Sequence, residues 1–441
     1  MTHVQPFRGL RYNLAKVGGD LSSVITPPYD VISAEQQQDY YERNSFNLIR
    51  LELGKKFPDD TIENNRYTRA AATLEQWLRD GVLIREERPA YYLMEHRFSH
   101  WGEEKSFWGL IVNVRLEEFN TGSIRATEIT MDAPIEDRLE LLRACRVNLS
   151  PIMGAFLQKE GDLLTLLPEL DLTQPDMSAT DDFGVTFNLW VIDEESKVRE
   201  LTDFLADKLI YIADGHHRYT TALTYCNEQT GPDTPPDDPR NFVMMGLTSS
   251  NDRGLTMLPT HRLIRGIKPE HLANLKGELA RYFSIQEIEP CSEDLQKSLK
   301  CWMEDLSANS KGDAAFGLYG LEGRKYLLLT PHDVSALYEM LPPERPLAWR
   351  KLDVSLLHGI ILEGMLGIDN PEKEKECLKY SPDDGEVIRK VDEGEAQLAV
   401  FLNPASIASV VAVADAGDRM PQKSTYFYPK TAAGLVMNPL W

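Results

Sequence analysis

The chain has 441 residues and carries 69 Asp and Glu side chains against 47 Lys and Arg, a formal net charge of −22. A chain this acidic, without a block of Lys and Arg, is repelled by a phosphate backbone, so nucleic-acid binding is not expected. The longest apolar stretches, such as 108–114 and 410–413, are too short to cross a bilayer, and no membrane association is expected.

The cysteines and the N-terminus indicate the cellular compartment. The five cysteines are scattered, odd in number and without a C-x-x-C pair, at positions Cys145, Cys226, Cys291, Cys301 and Cys377. This pattern predicts reduced, mostly buried thiols rather than a disulfide framework or a zinc site. The first residues lack the apolar core of a secretory signal, so a cytoplasmic protein is expected.

Helices and strands alternate along the predicted secondary structure. Ser33 and Gln36 form the capping box that begins the first helix. Helices are predicted over 34–43, 62–78, 135–146, 198–208, 217–227 and 354–366, of which 62–78 carries apolar residues at helical spacing on one face. Apolar runs and alternating patterns predict strands over 90–98, 106–116, 184–192, 209–213 and 397–402, the first two forming a hairpin. The predicted fold class is therefore α+β, in a mixed α/β arrangement.

The predicted elements divide the chain into four segments. Residues 1–160 form an N-terminal α+β region that contains the hairpin and Glu128. Residues 161–265 form a central core in which an apolar strand leads into a helix. Residues 266–345 form an α/β subdomain, and residues 346–441 form a C-terminal region rich in Gly and Pro near its end.

The densest cluster of chemically active residues lies where the strand over 209–213 ends and the next helix begins. It is the run Asp214, Gly215, His216, His217 and Arg218. N–H groups at a helix N-terminus and the helix dipole attract phosphate, and Gly215 lets the backbone come close. Arg218 can bind phosphate oxygens with two hydrogen bonds, and either histidine can donate to them. The structural alternative is a helix capped by Asp214 with Arg218 in a salt bridge; the density of charged groups favours a phosphate site.

The common nucleotide-binding fingerprints are absent from the sequence, so a phosphate site here is of a less common kind. Glu128, flanked by two threonines, is suited to act as a general base for a hydroxyl group, with a solvated surface carboxylate as the alternative. Further candidate substrate-binding residues lie on stiff or glycine-adjacent segments, where function tends to gather. They are Asp30, Arg138, Lys423, Ser424 and Thr425.

Several segments, taken in order, resemble the bacterial and archaeal family called DUF1015. They are residues 26–33, 47–51, 128–130 with 137–139, 148–152, 212–219, 259–262 and 420–430. The strings D-G-H-H-R-Y (214–219) and P-Q-K-S-T-Y-F-Y-P-K (421–430) are the most specific, and the resemblance spans nearly the whole chain. The family name implies no function.

The run 214–218 also resembles the phosphate-binding motif of the ParB/sulfiredoxin superfamily, which includes free-serine kinases. This resemblance implies a ParB/sulfiredoxin-like core over 161–265, with 215–218 holding the phosphates of the donor and Asp214 beside them or helping to hold Mg²⁺. It implies Glu128 as the base, although Thr127 stands where the family commonly has His. The motif lacks the cysteine that sulfiredoxin chemistry needs, and the acidic charge argues against a chromosome-partition role.

The resulting hypothesis is a phosphotransferase that acts on a small hydroxyl metabolite, with free L-serine and O-phosphoserine as the favoured pair in either direction. ATP, ADP or pyrophosphate is the expected donor, with Mg²⁺ held through the phosphates. Glu128 and His217 are the expected catalytic residues. The alternative is a non-catalytic, nucleotide-binding regulatory switch, which Thr127 favours.

Overall fold

The computed structural model describes residues 1–158, 163–310 and 314–441, and the fold is mixed α/β, as predicted. The chain forms two compact units. Unit 1 is built from Met1–Ala126, Thr130–Thr256 and Phe427–Trp441, and unit 2 from Thr127–Ile129 and Met257–Tyr426. The division into four segments stays a prediction from the sequence.

The strands of the described residues are labelled in chain order. They are β1 (Val4–Gln5), β2 (Leu10–Tyr12), β3 (Leu83–Arg85), β4 (Tyr91–His100), β5 (Glu103–Arg115), β6 (Ile124–Arg125), β7 (Val147–Asn148), β8 (Ile152–Phe156), β9 (Met177–Thr180), β10 (Thr186–Ile192), β11 (Ile210–Asp214), β12 (Phe242–Ser249), β13 (Thr256–Leu258), β14 (His261–Ile264), β15 (Phe283–Ile288), β16 (Phe316–Gly320), β17 (Gly323–Pro331), β18 (Leu378–Ser381), β19 (Leu398–Phe401), β20 (Tyr426–Tyr428) and β21 (Asn438–Pro439).

The helices of the described residues are labelled in the same way. They are α1 (Ala34–Arg43), α2 (Ile49–Glu52), α3 (Arg66–Arg79), α4 (Asp132–Cys145), α5 (Glu195–Leu205), α6 (His216–Gln229), α7 (Pro269–Leu279), α8 (Leu295–Ser310), α9 (Val334–Met340), α10 (Leu347–Arg350), α11 (Asp353–Leu356), a π-helix (Leu357–Met365), α12 (Pro371–Cys377), α13 (Asp384–Asp392) and α14 (Ile407–Asp415). The described residues contain no helix that is both long and apolar enough to cross a membrane.

Unit 1 is organised around a sheet whose strands run in the order β6-β11-β8-β12-β5-β4-β10-β9, with β1 pairing with β5. The predicted hairpin forms its centre, because β4 and β5 pair antiparallel over nine residues on each strand. β8 and β12 are buried along their whole length, as expected for strands covered on both faces. Helix α6 packs against α4, so the end of β11 leads directly into a helix that is held in place.

Unit 2 is organised around a second sheet, in the order β15-β17-β16-β19-β14-β18. Alternate residues of β14 enter different cores, since Leu263 packs with Trp302 and Phe401 while Ile264 packs with residues of the π-helix. This alternation is what a strand covered on both faces produces. Arg262, two residues before Ile264, therefore shares the face that carries the π-helix.

The helix predicted over 354–366 and the predicted state of the cysteines both differ from the structure. The helix predicted over 354–366 is divided into α11 and the π-helix, in which Gly359 lies so close to Leu341 that a Cβ atom would come within 2.5 Å of the leucine side chain. The prediction of reduced thiols throughout is also wrong, because a disulfide joins Cys291 to Cys301; the ten-residue separation of the two gave no motif to reveal it.

Candidate functional site

The junction between β11 and α6 is built around a backbone conformation that favours glycine. Gly215 has a φ of 94°, in the left-handed region, and its carbonyl oxygen accepts the amide of Tyr219 at 3.0 Å. A Cβ atom at position 215 would lie 2.8 Å from Nη2 of Arg218. The glycine therefore permits both the turn into the helix and the folding of the Arg218 side chain over it.

Arg218 and Lys430 converge on Asp214. Nη2 of Arg218 donates to Oδ2 of Asp214 at 2.6 Å, and Nζ of Lys430 contacts Oδ1 of the same carboxylate. Nη1 of Arg218 donates to Oγ of Ser150 at 3.0 Å and to the carbonyl oxygen of Pro151 at 2.8 Å. The side chains of Arg218, Asp214 and Lys430 are 13 to 14 % exposed, so this cluster is shielded but in contact with solvent.

A second layer of charge lies beneath Arg218. Arg138 donates from Nε and Nη2 to Asp137 and from Nη1 to the carbonyl oxygen of Glu52, and its guanidinium lies 4.1 Å from the centre of the Tyr29 ring. Burial raises the pKa of Glu52, opposed by the positive charges of Arg138 and Arg218 and by a hydrogen bond to Ser150. Ser150 thus joins Arg218 to the buried carboxyl group of Glu52.

A small cavity of about 50 Å³ lies within this layer. Its polar lining is contributed by Glu52, Arg138, Asn148, Ser150, Arg218 and Thr221. A space of this size holds a water molecule and is far below the volume of a nucleotide pocket. The cavity itself is therefore too small to hold a nucleotide.

The two histidines of the motif have different surroundings. His216 is buried, with 6 % of its surface exposed. His217 is half-buried, and its Nε2 accepts the backbone amide of Met131 at 3.1 Å. Because Nε2 accepts a hydrogen bond, the ring proton of neutral His217 lies on Nδ1. His217 can therefore donate from Nδ1.

The weaker candidates of unit 1 lie near this layer. Asp30 is exposed in the 3₁₀ turn Tyr29–Val31, and its charge acts on both Tyr29 and Glu52. Burial raises the pKa of Tyr29 to about 12. The guanidinium of Arg138 is buried and engaged by protein groups, which favours a supporting role over direct contact with substrate.

In unit 2 the structure brings Glu128 together with Ser424 and Thr425. Oε1 of Glu128 accepts the amide of Ser424 at 3.2 Å, the amide of Thr425 at 2.9 Å and the hydroxyl of Thr425 at 2.8 Å. Three donors fix one oxygen of the carboxylate. Lys423 has a φ of 55° and an exposed side chain, and Thr127 is buried.

The surroundings of Asp214 do not fit the role of a Mg²⁺ ligand. Each of its carboxylate oxygens already contacts a cationic side chain. Within the described ranges, no group of three or more His, Cys, Asp or Glu side chains is placed to hold a metal ion. A Mg²⁺ ion carried by donor phosphates needs few protein ligands, but Asp214 is not available as one.

Three residues of the site did not emerge as candidates from the sequence: Glu52, Ser150 and Lys430. Ser150 and Lys430 lie inside the strings that carry the family resemblance, and Glu52 directly follows another. Their positions in or beside these strings were the sequence signal that could have identified them as site residues. Their partners lie 68, 216 and 86 residues away along the chain, for Ser150–Arg218, Lys430–Asp214 and Glu52–Arg138, so local spacing did not pair them.

Comparison with known proteins gives one family and several distant structures. The family model "Protein of unknown function (DUF1015)" matches residues 4–355, and no curated protein matches the chain. A conserved hypothetical protein from Pyrococcus furiosus is 13 % identical with a TM-score of 0.34, covering 69 % of this chain and 87 % of its own.

Two further solved structures are similar at the same level. A free serine kinase in complex with AMP is 12 % identical with a TM-score of 0.32, covering 71 % of this chain and 89 % of its own. SbnI with a C-terminal truncation, from Staphylococcus aureus, is 11 % identical with a TM-score of 0.34, covering 75 % and 87 %. Likenesses this distant do not decide the function of the chain.

Proposed function

Because this chain belongs to the DUF1015 family, whose description names no function, we propose a function from its own side chains: a phosphotransferase that acts on a small hydroxyl metabolite. Free L-serine is the favoured acceptor, and ATP, ADP or pyrophosphate is the donor. The observation that carries the proposal is the convergence of Arg218 and Lys430 on Asp214 at the N-terminus of α6.

The charge balance of this cluster favours an anion. Two cationic side chains contact one carboxylate, so the three groups together carry a net charge of +1. The 14-residue helix α6 adds the positive end of its dipole and the N–H groups of its first turn. Phosphate oxygens are good acceptors for guanidinium, ammonium and helix N-terminal N–H donors.

Phosphoryl transfer depends mainly on positioning and on stabilising negative charge, which is what these groups supply. In the proposed reaction the acceptor hydroxyl oxygen forms a bond to the transferred phosphorus while the bond from phosphorus to the leaving oxygen of the donor breaks. Glu128 takes the hydroxyl proton, and its orientation is fixed by Ser424 and Thr425. Arg218 and Lys430 stabilise the charge that remains on the departing phosphate.

Nucleotide titration of the full chain tests the donor site. Arg218→Ala removes the guanidinium that contacts Asp214. We expect ADP and ATP to bind at least about tenfold more weakly, because the loss of a hydrogen bond between charged groups has an effect of this size. Lys430→Met should weaken binding in the same direction. Arg199→Ala is the matched control, since Arg199 is 72 % exposed in a surface pair with Glu195.

Arg218→Lys retains the charge without the fork and keeps the test valid if Arg218→Ala fails to fold. Donor affinity equal to that of the wild type in folded Arg218 and Lys430 variants would overturn the donor site. Nucleotide binding without any phosphorylated serine or other hydroxyl metabolite would instead identify the regulatory switch.

A further inference from the structure

Arg262, on β14 of unit 2, is a fully buried guanidinium with one edge that has no hydrogen-bond partner. The residue is 0 % exposed, between Tyr380 of β18 and Val400 of β19. Its Nη1 donates to the carbonyl oxygen of Thr260. Within the described part of the chain, Nε and Nη2 contact no acceptor.

The unpartnered edge has a defined chemistry. Nε–H and Nη2–H of a guanidinium point in the same direction and match the two oxygens of a carboxylate or of a phosphate. Burial lowers the pKa of Arg262 to about 10, so the group is still charged at neutral pH. The Tyr380 ring, 4.9 Å away, offsets part of the desolvation cost through a cation–π contact but accepts neither hydrogen bond.

Other polar groups on the same side of the sheet also lack partners. The charge of Glu374 acts on Arg262, and His358 of the π-helix places Nδ1 3.6 Å from Oε1 of Glu374. Nε2 of His358 and the hydroxyl of Thr260 are buried with no hydrogen-bond partner among the residues described. A buried set of unsatisfied polar atoms is costly to keep, and a bound ligand is one physical reason for it.

We propose that the free edge of Arg262 binds the carboxylate of a small-molecule ligand. In the reaction proposed above that ligand is the amino-acid acceptor; this identification rests on the proposed function, whereas the carboxylate site itself does not. A carboxylate is favoured over a phosphate because it offers two oxygens to the free edge while adding one negative charge instead of two. A phosphate dianion would leave excess negative charge in a buried region on which Glu128 and Glu374 already act.

The burial of Arg262 sets how the ligand reaches it. The π-helix packs on the same face of the sheet as Arg262, and π-helical turns are irregular segments that recur at functional sites. A ligand gains access to Arg262 only when this cover opens. Association is therefore expected to be slower than for an open cleft.

The test measures the melting temperature and ligand affinity of the full chain with L-serine, D-glycerate, acetate and inorganic phosphate. Arg262→Met keeps the length of the side chain and removes the charge. In the absence of ligand this variant should melt at or above the wild-type temperature, because it loses a buried charge with incomplete hydrogen bonding. Carboxylates should stabilise the wild type, and their affinity should fall at least about tenfold in Arg262→Met.

Two controls separate the possible outcomes. Arg281→Met removes an exposed arginine of unit 2 and should leave carboxylate binding unchanged. Arg262→Lys keeps a charge without the fork and should bind carboxylates weakly. ADP affinity should be unaffected in all three variants.

Three results would overturn the inference: no stabilisation of the wild type by any carboxylate, carboxylate binding that survives in Arg262→Met, or stabilisation through Arg262 by phosphate alone. Failure of the proposed function is seen separately, as wild-type protein that binds no nucleotide or transfers no phosphate. Carboxylate binding lost in Arg262→Met would then still support the site.

Discussion

Asp214 and Glu128 are both carboxylates at predicted site positions, and the structure gives them opposite surroundings. Asp214 contacts a guanidinium on one oxygen and an ammonium on the other, so it positions cations. Oε1 of Glu128 accepts hydrogen bonds from two amides and a hydroxyl, all of them neutral. These hydrogen bonds hold the Glu128 carboxylate in one orientation, which a residue proposed to accept a hydroxyl proton needs.

Glu128→Gln tests this assignment at a single residue. Glutamine keeps the size of the side chain and an oxygen that can accept the Ser424 and Thr425 hydrogen bonds, but it cannot take a proton. We expect turnover to fall by about 100-fold or more, the usual contribution of a general base, with ADP affinity unchanged. Glu304→Gln, at an exposed glutamate of α8, is the control. Turnover at the wild-type rate in Glu128→Gln would remove Glu128 from the mechanism.

Contacts between individual site residues are the feature that sequence analysis could not predict. The run 214–218 could be chosen because its glycine, histidines and arginine are consecutive where a strand predicted from apolar residues ends. Glu128 and Thr425 meet across 297 residues, and Asp214 and Lys430 across 216. Contacts of this length leave no periodicity in the sequence, so only the family resemblance indicated that these segments matter.

At the scale of elements, the ion pair between Asp214 and Arg218 is positioned jointly by β11, Gly215 and α6. The strand fixes Asp214, the left-handed glycine reverses the chain direction, and the first turn of the helix returns Arg218 to the carboxylate. The side chain of Arg218 fits because position 215 has no Cβ atom. Backbone and ion pair therefore depend on the same residue.

Gly215→Ala should disturb both. A left-handed backbone costs a non-glycine residue about 1–2 kcal/mol, and the added Cβ atom would displace the Arg218 guanidinium. We expect a lower melting temperature together with weaker ADP binding. Gly231→Ala is the matched control, because Gly231 has no positive φ and its added Cβ atom would meet nothing within 4 Å. Equal effects of the two substitutions would contradict the role given to Gly215.

Most helices and strands could be predicted from local sequence patterns, and the differences in their bounds and type have physical causes. The helix α1 begins at the predicted capping box and ends at the predicted residue. The helix α3 begins at Arg66 rather than at 62 because Asn65 caps it, with its side chain accepting the amides of Tyr67 and Thr68. The π-helix was predicted as ordinary α-helix, since the spacing of apolar residues does not distinguish the two forms.

At the scale of the whole molecule, the mixed α/β class followed from the alternation of elements, whereas the two units did not. Each unit gathers stretches that are distant in the sequence, and residues 127–129 belong with 257–426. The net charge of −22 is likewise a property of the whole chain, and it makes each additional buried negative charge costly.

The dependence of stability on pH tests the cost of burying one carboxyl group, that of Asp353 at the start of α11. Burial raises the pKa of Asp353 to about 7 from its ordinary 3.8, so the folded chain holds this proton where the unfolded chain releases it. The stability that the proton supplies is present at pH 4 and is lost as the pH rises through 7.

Asp353→Asn removes the titration, so its melting temperature should equal that of the wild type near pH 4 and exceed it by about 5 °C or more at pH 8. Asp305→Asn, at an exposed position of α8, should show a constant difference across the same range. A difference between Asp353→Asn and wild type that does not grow with pH would show that Asp353 is ionised in the folded chain at no cost.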